Sequence, residues 1–124
     1  MGYLYEDLTG RIIGCFYTVY DELRGGFLES VYEKALLAEL QSLGLKVENQ
    51  KKLDVYYRNK LVGEFRADLV VEDRIIIEIK AIAELTPYHE AQVLNYLKAT
   101  RMKLGLLVNF GNLLKFRRII CSSY

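Results

Sequence analysis

Two charged side chains, Glu78 and Lys80, stand two positions apart in RIIIEIKAI (residues 74–82), a run otherwise built almost wholly of isoleucine and alanine. Side chains alternate across a strand, so Ile76, Glu78, Lys80 and Ile82 share one face while Ile75, Ile77, Ile79 and Ala81 share the other. A run this apolar belongs to a central strand covered on both sides, where an unpaired charge costs several kcal/mol or is neutralised. Two arrangements compensate the charges. One is a Glu78–Lys80 ion pair or a strand end that reaches water. The other is a cation site, in which carboxylate oxygens and water surround a hard ion such as Mg²⁺ and the ammonium positions a reacting water.

One carboxylate is a thin ligand set, so a second is expected from a neighbouring strand. Asp68, in EFRADLVVED, precedes a turn at Glu72-Asp73, and antiparallel pairing across that turn brings it alongside residues 76–78. A register shift of one residue moves it to the wrong face, and a surface aspartate near a strand end is the plainer reading. Glu29 lies seven positions before Leu36 and eleven before Leu40, within about 20° of one line on a helix, which predicts that it faces inward. Glu33 is the less constrained alternative, and a simple charge at a helix N-terminus is the plainer reading of Glu29. On a later helix His89, Gln92 and Tyr96 project to one side. An amide such as Gln92 can donate to a phosphate and also accept from water, with Tyr96 holding it one turn away. A lone histidine such as His89 more often satisfies its local surroundings.

The elements that must position these residues follow from periodicity and punctuation. Leu8, Ile12, Cys15, Phe16, Val19 and Leu23 recur at helical spacing over about residues 5–23, and Gly25-Gly26 ends that helix. A second helix is expected over about 28–43, with Gly44 as its stop. Strands at 47–57 and 61–71 flank the short polar interruption 58–60, which reads as a hairpin turn, and the Ile-rich strand follows. Thr86-Pro87 is a helix start, with Thr as N-cap and Pro at the first helical position, for a helix reaching about residue 100. Short strands at 104–109 and 113–120 complete the order α-α-β-β-β-α-β-β, an α/β domain whose mixed sheet is flanked by helices.

With 124 residues, 52% of them hydrophobic, residues 1–124 suit one domain with a real core. No apolar run approaches the roughly 18 residues that span a membrane, and MGYLYEDLTGR lacks a signal-peptide layout, so a soluble cytoplasmic protein is expected. Cys15 and Cys121 have no metal-binding spacing and read as buried free thiols. The net charge is only +1, yet no Asp or Glu occurs from Ala91 to Tyr124, where Lys98, Arg101, Lys103, Lys115, Arg117 and Arg118 lie. This asymmetry suits a local phosphate-attracting surface, and equally a solvated helix end with a basic edge strand.

Taken together, Asp68, then Glu78-Ile79-Lys80, then Gln92-x-x-x-Tyr96 resembles the PD-(D/E)XK nuclease superfamily. More closely, GFLESVY (residues 26–32) looks like the Gly-x-x-Glu-x-x-Tyr motif of the small GxxExxY proteins, a branch of that superfamily. The resemblance extends through EFRADLVVED, IIIEIKAI, HEAQVLNYLK and GLLVNFG, from about residue 8 to 120. It implies a restriction-endonuclease-like core in which Glu29, Asp68 and Glu78 gather around Mg²⁺ or Mn²⁺. It also matches Lys80 to the lysine of the Glu-x-Lys pair, Gln92 and Tyr96 to a Gln-x-x-x-Tyr motif, and His89 to a histidine often seen before that glutamine. Ala67 stands where the superfamily commonly has proline. The implied activity is metal-assisted hydrolysis of DNA or RNA by a protein acting alone or as a homo-oligomer. Lys80 would orient the attacking water or stabilise developing charge, Gln92 would hold phosphate or water, and His89, Tyr96, Lys98, Arg101, Lys103 and Arg117 would contact the nucleic acid. The competing reading keeps the nuclease core without useful turnover, as a nucleic-acid-binding or assembly module.

Overall fold

Among the described residues, eight elements follow one another in the expected order: α1 (Glu6–Leu23), α2 (Glu29–Ser42), β1 (Val47–Tyr57), β2 (Lys60–Val71), β3 (Ile75–Lys80), α3 (Pro87–Thr100), β4 (Leu104–Asn109) and β5 (Lys115–Ile120). The computed structural model describes residues 4–122. All five strands join one sheet in sequence order, with β3 and β4 parallel and every other neighbour antiparallel. The parallel pair follows from α3, since a chain that must re-enter the sheet in the same direction needs a crossover long enough to carry a helix.

Helices cover both faces of the sheet. Ile12, Phe16, Leu36 and Leu40 of α1 and α2 pack with Ile75, Ile77 and Ile79 of β3, while Val93 and Leu97 of α3 pack with Ile76 of β3 and Leu107 of β4. This double cover is the physical reason that β3 lacks an alternating polar face. Cys15 is a buried free thiol, as expected, and Cys121 is buried too.

The β1–β2 pair carries an irregularity that strand periodicity did not foretell. Leu69 and Val71 pack under α1 and α2, whereas Phe65 and Ala67, of the same parity, pack with Leu53 on the α3 side. The alternation therefore slips at Asp68, which the flanking pairs Asn49↔Leu69 and Lys51↔Ala67 set opposite Gln50. Gln50 has a left-handed backbone, φ 51°, uncommon for a residue with a side chain. At the far end, Arg58 and Asn59 are both left-handed, φ 49° and 65°, as a two-residue mirror-image hairpin turn requires. The turn is thus one residue shorter than its polar sequence suggested, and β2 begins at Lys60.

Candidate functional site

β2 and β3 pair through Leu69↔Ile77, which makes Asp68 and Glu78 the next opposed positions. There the ladder ends and the side chains take over its hydrogen bonds. Glu78 Oε1 accepts from the Asp68 backbone N–H at 2.9 Å, and Asp68 Oδ2 accepts from the Ile79 N–H at 2.8 Å. The two acids are thereby locked across the point where the strands part. Burial first, and then the charge of Asp68, push the Glu78 carboxyl up to about 8; the Asp68 N–H and Lys80 oppose this, and Glu29 adds to it. Lys80 is half-buried and has no salt bridge among the described residues, so the Glu78–Lys80 ion pair does not form.

The expected inward orientation of Glu29 is corrected: the residue is exposed. As the first residue of α2 it lies at the open end of the line that buries Leu36 and Leu40. It still belongs to the acidic group, because partial desolvation and then Asp68 raise its carboxyl while Lys80 pulls it down. Glu33 is half-buried and likewise raised, chiefly by desolvation. Between Glu33 and Asp68 stands Gln50, whose Nε2 donates to Glu33 Oε1 at 2.8 Å and to Asp68 Oδ1 at 3.1 Å. The sequence reading missed Gln50. Its left-handed backbone, which aims the amide at both acids, has no signal in the residue pattern.

The GFLESVY segment explains how Glu29 is delivered. Gly26 has φ 107°, open to glycine, and lets the chain turn into α2. Three residues beyond Glu29, Tyr32 is fully buried; its hydroxyl donates to the Arg24 carbonyl at 2.5 Å and accepts from the Phe27 N–H at 3.2 Å. Its ring stacks on Phe110 with centroids 4.7 Å apart. Glycine, glutamate and tyrosine thus bend the loop, present the acid and staple the loop to the sheet.

On α3, Tyr96 is buried against Phe65 and its hydroxyl is pushed up to about 12 by desolvation, Glu78 and Asp68, in that order, with Gln92 hydrogen bonding in the opposite sense. The carbonyl oxygen of Gln92 is buried without a partner among the described residues. His89 turns back on its own helix start, where its Nδ1 accepts from the Thr86 N–H at 2.9 Å as the reciprocal half of a cap. The expected basic surface divides in two. Lys98, Arg101 and Lys103 cluster exposed at the C-terminal end of α3, while Arg117 on β5 pairs with Glu90 near its start.

Glu29, Asp68 and Glu78 therefore act on one another beside the Lys80 ammonium, and Glu33 joins them through Glu29 and Asp68. The Glu29, Glu33 and Glu78 carboxyls, raised first by desolvation and further by the neighbouring Asp68 charge, are what a divalent cation relieves, and oxygen donors suit Mg²⁺ or Mn²⁺. As the side chains stand, no group of three or more His, Cys, Asp or Glu among the described residues is arranged to hold a metal. Asp68 is turned to Gln50 and the Ile79 N–H, and Glu33 to Gln50. The residues fit a hard cation by donor type and charge, with Asp68 and Glu78 as the ordered pair, and do not form a closed three-carboxylate cage.

The family model for the PD-(D/E)XK nuclease superfamily matches residues 6–119, and the chain belongs to that superfamily. No curated protein matches it significantly. Among solved structures, the crystal structure of SSO0001 is similar, with a TM-score of 0.59 and 21% identity over 73% of this chain and 48% of that one. The chain thus spans about half that protein's length, and the likeness is one of fold. The mixed five-stranded sheet flanked by three helices has the expected restriction-endonuclease-like α/β architecture. Nucleases of this superfamily usually use divalent metal ions and act on nucleic acid. Among the described residues no helix is long and apolar enough to cross a membrane.

Proposed function

We propose that the chain is a metal-dependent nuclease of the GxxExxY branch, a single domain that hydrolyses phosphodiester bonds of DNA or RNA with Mg²⁺ or Mn²⁺. The observation that carries this reading is the pair of half-buried Asp68 and buried Glu78, locked across parting strands beside Lys80, which has no salt bridge among the described residues. Asp68 and Glu78 would hold the cation, with Glu29 as the outer donor. When bound, the cation supplies Lewis acidity toward the phosphate and neutralises developing charge. Lys80 orients the attacking water or stabilises charge on the phosphate oxygens. The Gln92 oxygen, without a partner among the described residues, accepts from a water, and its N–H₂ donates to phosphate, with Tyr96 kept in its neutral, donating form. His89, Lys98, Arg101, Lys103 and Arg117 supply contacts to the backbone.

The test is incubation of the full chain with single- and double-stranded DNA and RNA in Mg²⁺ or Mn²⁺, alongside Glu78→Gln and Lys80→Ala. Cleavage that needs the metal and is lost in both folded variants supports the reading; equal cleavage by the variants sinks it. A second reading, a binding module on the nuclease core with little turnover, is favoured by the acids that do not converge in threes. It predicts nucleic-acid binding with no cleavage in either metal.

A further inference from the structure

A groove runs between α3 and the β1–β2 hairpin. Its inner part, about 180 Å³, is lined by Phe65, Tyr88, Ala91, Gln92, Asn95 and Tyr96. The outer part, about 290 Å³, shares Phe65 and Asn95 and adds Val55, Val62, Gly63, Lys98 and Ala99. Residues 88 to 99 of α3 make one wall, about 16 Å long at the helical rise. At the inner end Tyr96 lies in the field of Glu78 and Asp68. Beyond the outer wall is the hairpin end, with exposed Tyr56, Tyr57, Arg58 and Lys60.

The distribution of chemistry along this groove is uneven in an informative way. Its lining is mainly aromatic and apolar, interrupted by the amides of Gln92 and Asn95 and by Lys98, with no acidic residue on either part. Gly63 keeps the lining open, since a Cβ there would lie 3.2 Å from the Phe65 ring and 3.4 Å from Val55. Tyr88, 74% exposed on the wall, has most of its surface free, and Tyr56 and Tyr57 are 62% and 59% exposed. Cations stand at the margin: Lys98 on the helix, Arg58 and Lys60 at the turn. A duplex hides its base faces in its own stack and offers phosphate, which calls for cations along the contact. A single strand offers base faces, which call for aromatic surfaces with cations beside them.

We propose that this groove takes a single strand of nucleic acid, its bases against Tyr88 and Phe65 and its phosphates toward Lys98, Arg58 and Lys60, and leads it to the Asp68–Glu78 pair. The inference rests on the nuclease reading for what happens at the inner end, and on the groove alone for binding. The two are separable by experiment.

Binding is measured by fluorescence anisotropy on the full chain in EDTA, with a labelled single-stranded 12-mer and a blunt duplex of the same sequence. The wild-type chain is expected to prefer the single strand. Tyr88→Ala should weaken that binding about tenfold, the size of one lost base stack, and Tyr88→Phe should restore it. Ala91→Glu, an exposed helix position compatible with folding, should weaken it at least as much, while Ala91→Lys should not. Duplex affinity should change less than twofold throughout. Single-strand affinity that survives Tyr88→Ala and Ala91→Glu, or duplex affinity that falls in parallel, overturns the groove. Stacking-dependent binding without metal-dependent cleavage keeps the groove and overturns the hydrolase reading; cleavage indifferent to these variants does the reverse.

Discussion

Glu78 and Asn109 are hidden to the same degree, each 3% exposed, on adjacent parallel strands. Their circumstances are opposite. Asn109 accepts from the Ile82 and Gly111 N–H groups at 3.0 and 2.9 Å and donates to the Ile82 carbonyl at 3.0 Å, tying together the loops that leave β3 and β4. Gly111 completes the tie, because a Cβ there would fall 2.1 Å from the Ile82 carbonyl oxygen. Glu78 has one backbone donor and faces like charge from Asp68 and Glu29. Burial of a polar group is thus no mark of function by itself. A group whose neighbours satisfy it holds the fold together, and one whose neighbours oppose it is poised for something else to bind.

The largest effect that would sharpen this contrast is on activity. Glu78→Gln should cut metal-dependent cleavage by about 10³-fold, the scale on which removing one transition-state-stabilising group is felt, while circular dichroism shows a folded chain. Full activity would put Glu78 in the same class as Asn109. The converse variant, Asn109→Leu, strands three backbone groups and should destabilise by about 4 kcal/mol in urea unfolding without changing which metal supports cleavage. A neutral result would dissolve the comparison from the other side.

Third comes pH. The folded-state pKa of Glu78, about 8, is above the 4.5 of a free side chain, so between these values the folded chain keeps a proton that the unfolded chain releases. In EDTA, stability should therefore fall by a few kcal/mol as pH rises from about 4.5 to 8, then level off for this group. Glu29 and Glu33, raised in the same direction, add to the slope. Unfolding curves at pH 5 and 8.5 should show a smaller difference for Glu78→Gln, and no reduction would break the assignment. The smallest effect concerns Gln50. Removing its two hydrogen bonds in Gln50→Leu should weaken Mn²⁺ binding about tenfold in titration calorimetry, as loss of an orienting partner does, with little change in stability. Tighter binding would mean instead that Gln50 holds the acids away from the ion.

The fold was largely legible because its signals are local. Helical spacing in α1 and α2, the Thr86-Pro87 start and the unbroken apolar run of β3 each report a short stretch of chain, and the structure moves their ends by a residue or two. The acids themselves were also legible, as charges in places where charge does not belong. What escaped was the slip at Gln50 and Asp68, the exposure of Glu29, and the groove beside α3. Each depends on a backbone angle or a neighbour distant in sequence, and periodicity carries no record of either.

Residue order alone determined the eight elements, the double cover of β3, and the identity of the side chains that burial would penalise, since propensity and hydrophobic pattern act over a few residues. Only the tertiary structure decided that Glu78 would face Asp68 and leave Lys80 without a salt bridge among the described residues, and that Gln50 would bridge two acids. Strand register and a single left-handed residue set those distances, and electrostatic energy at a buried site depends on distance above all.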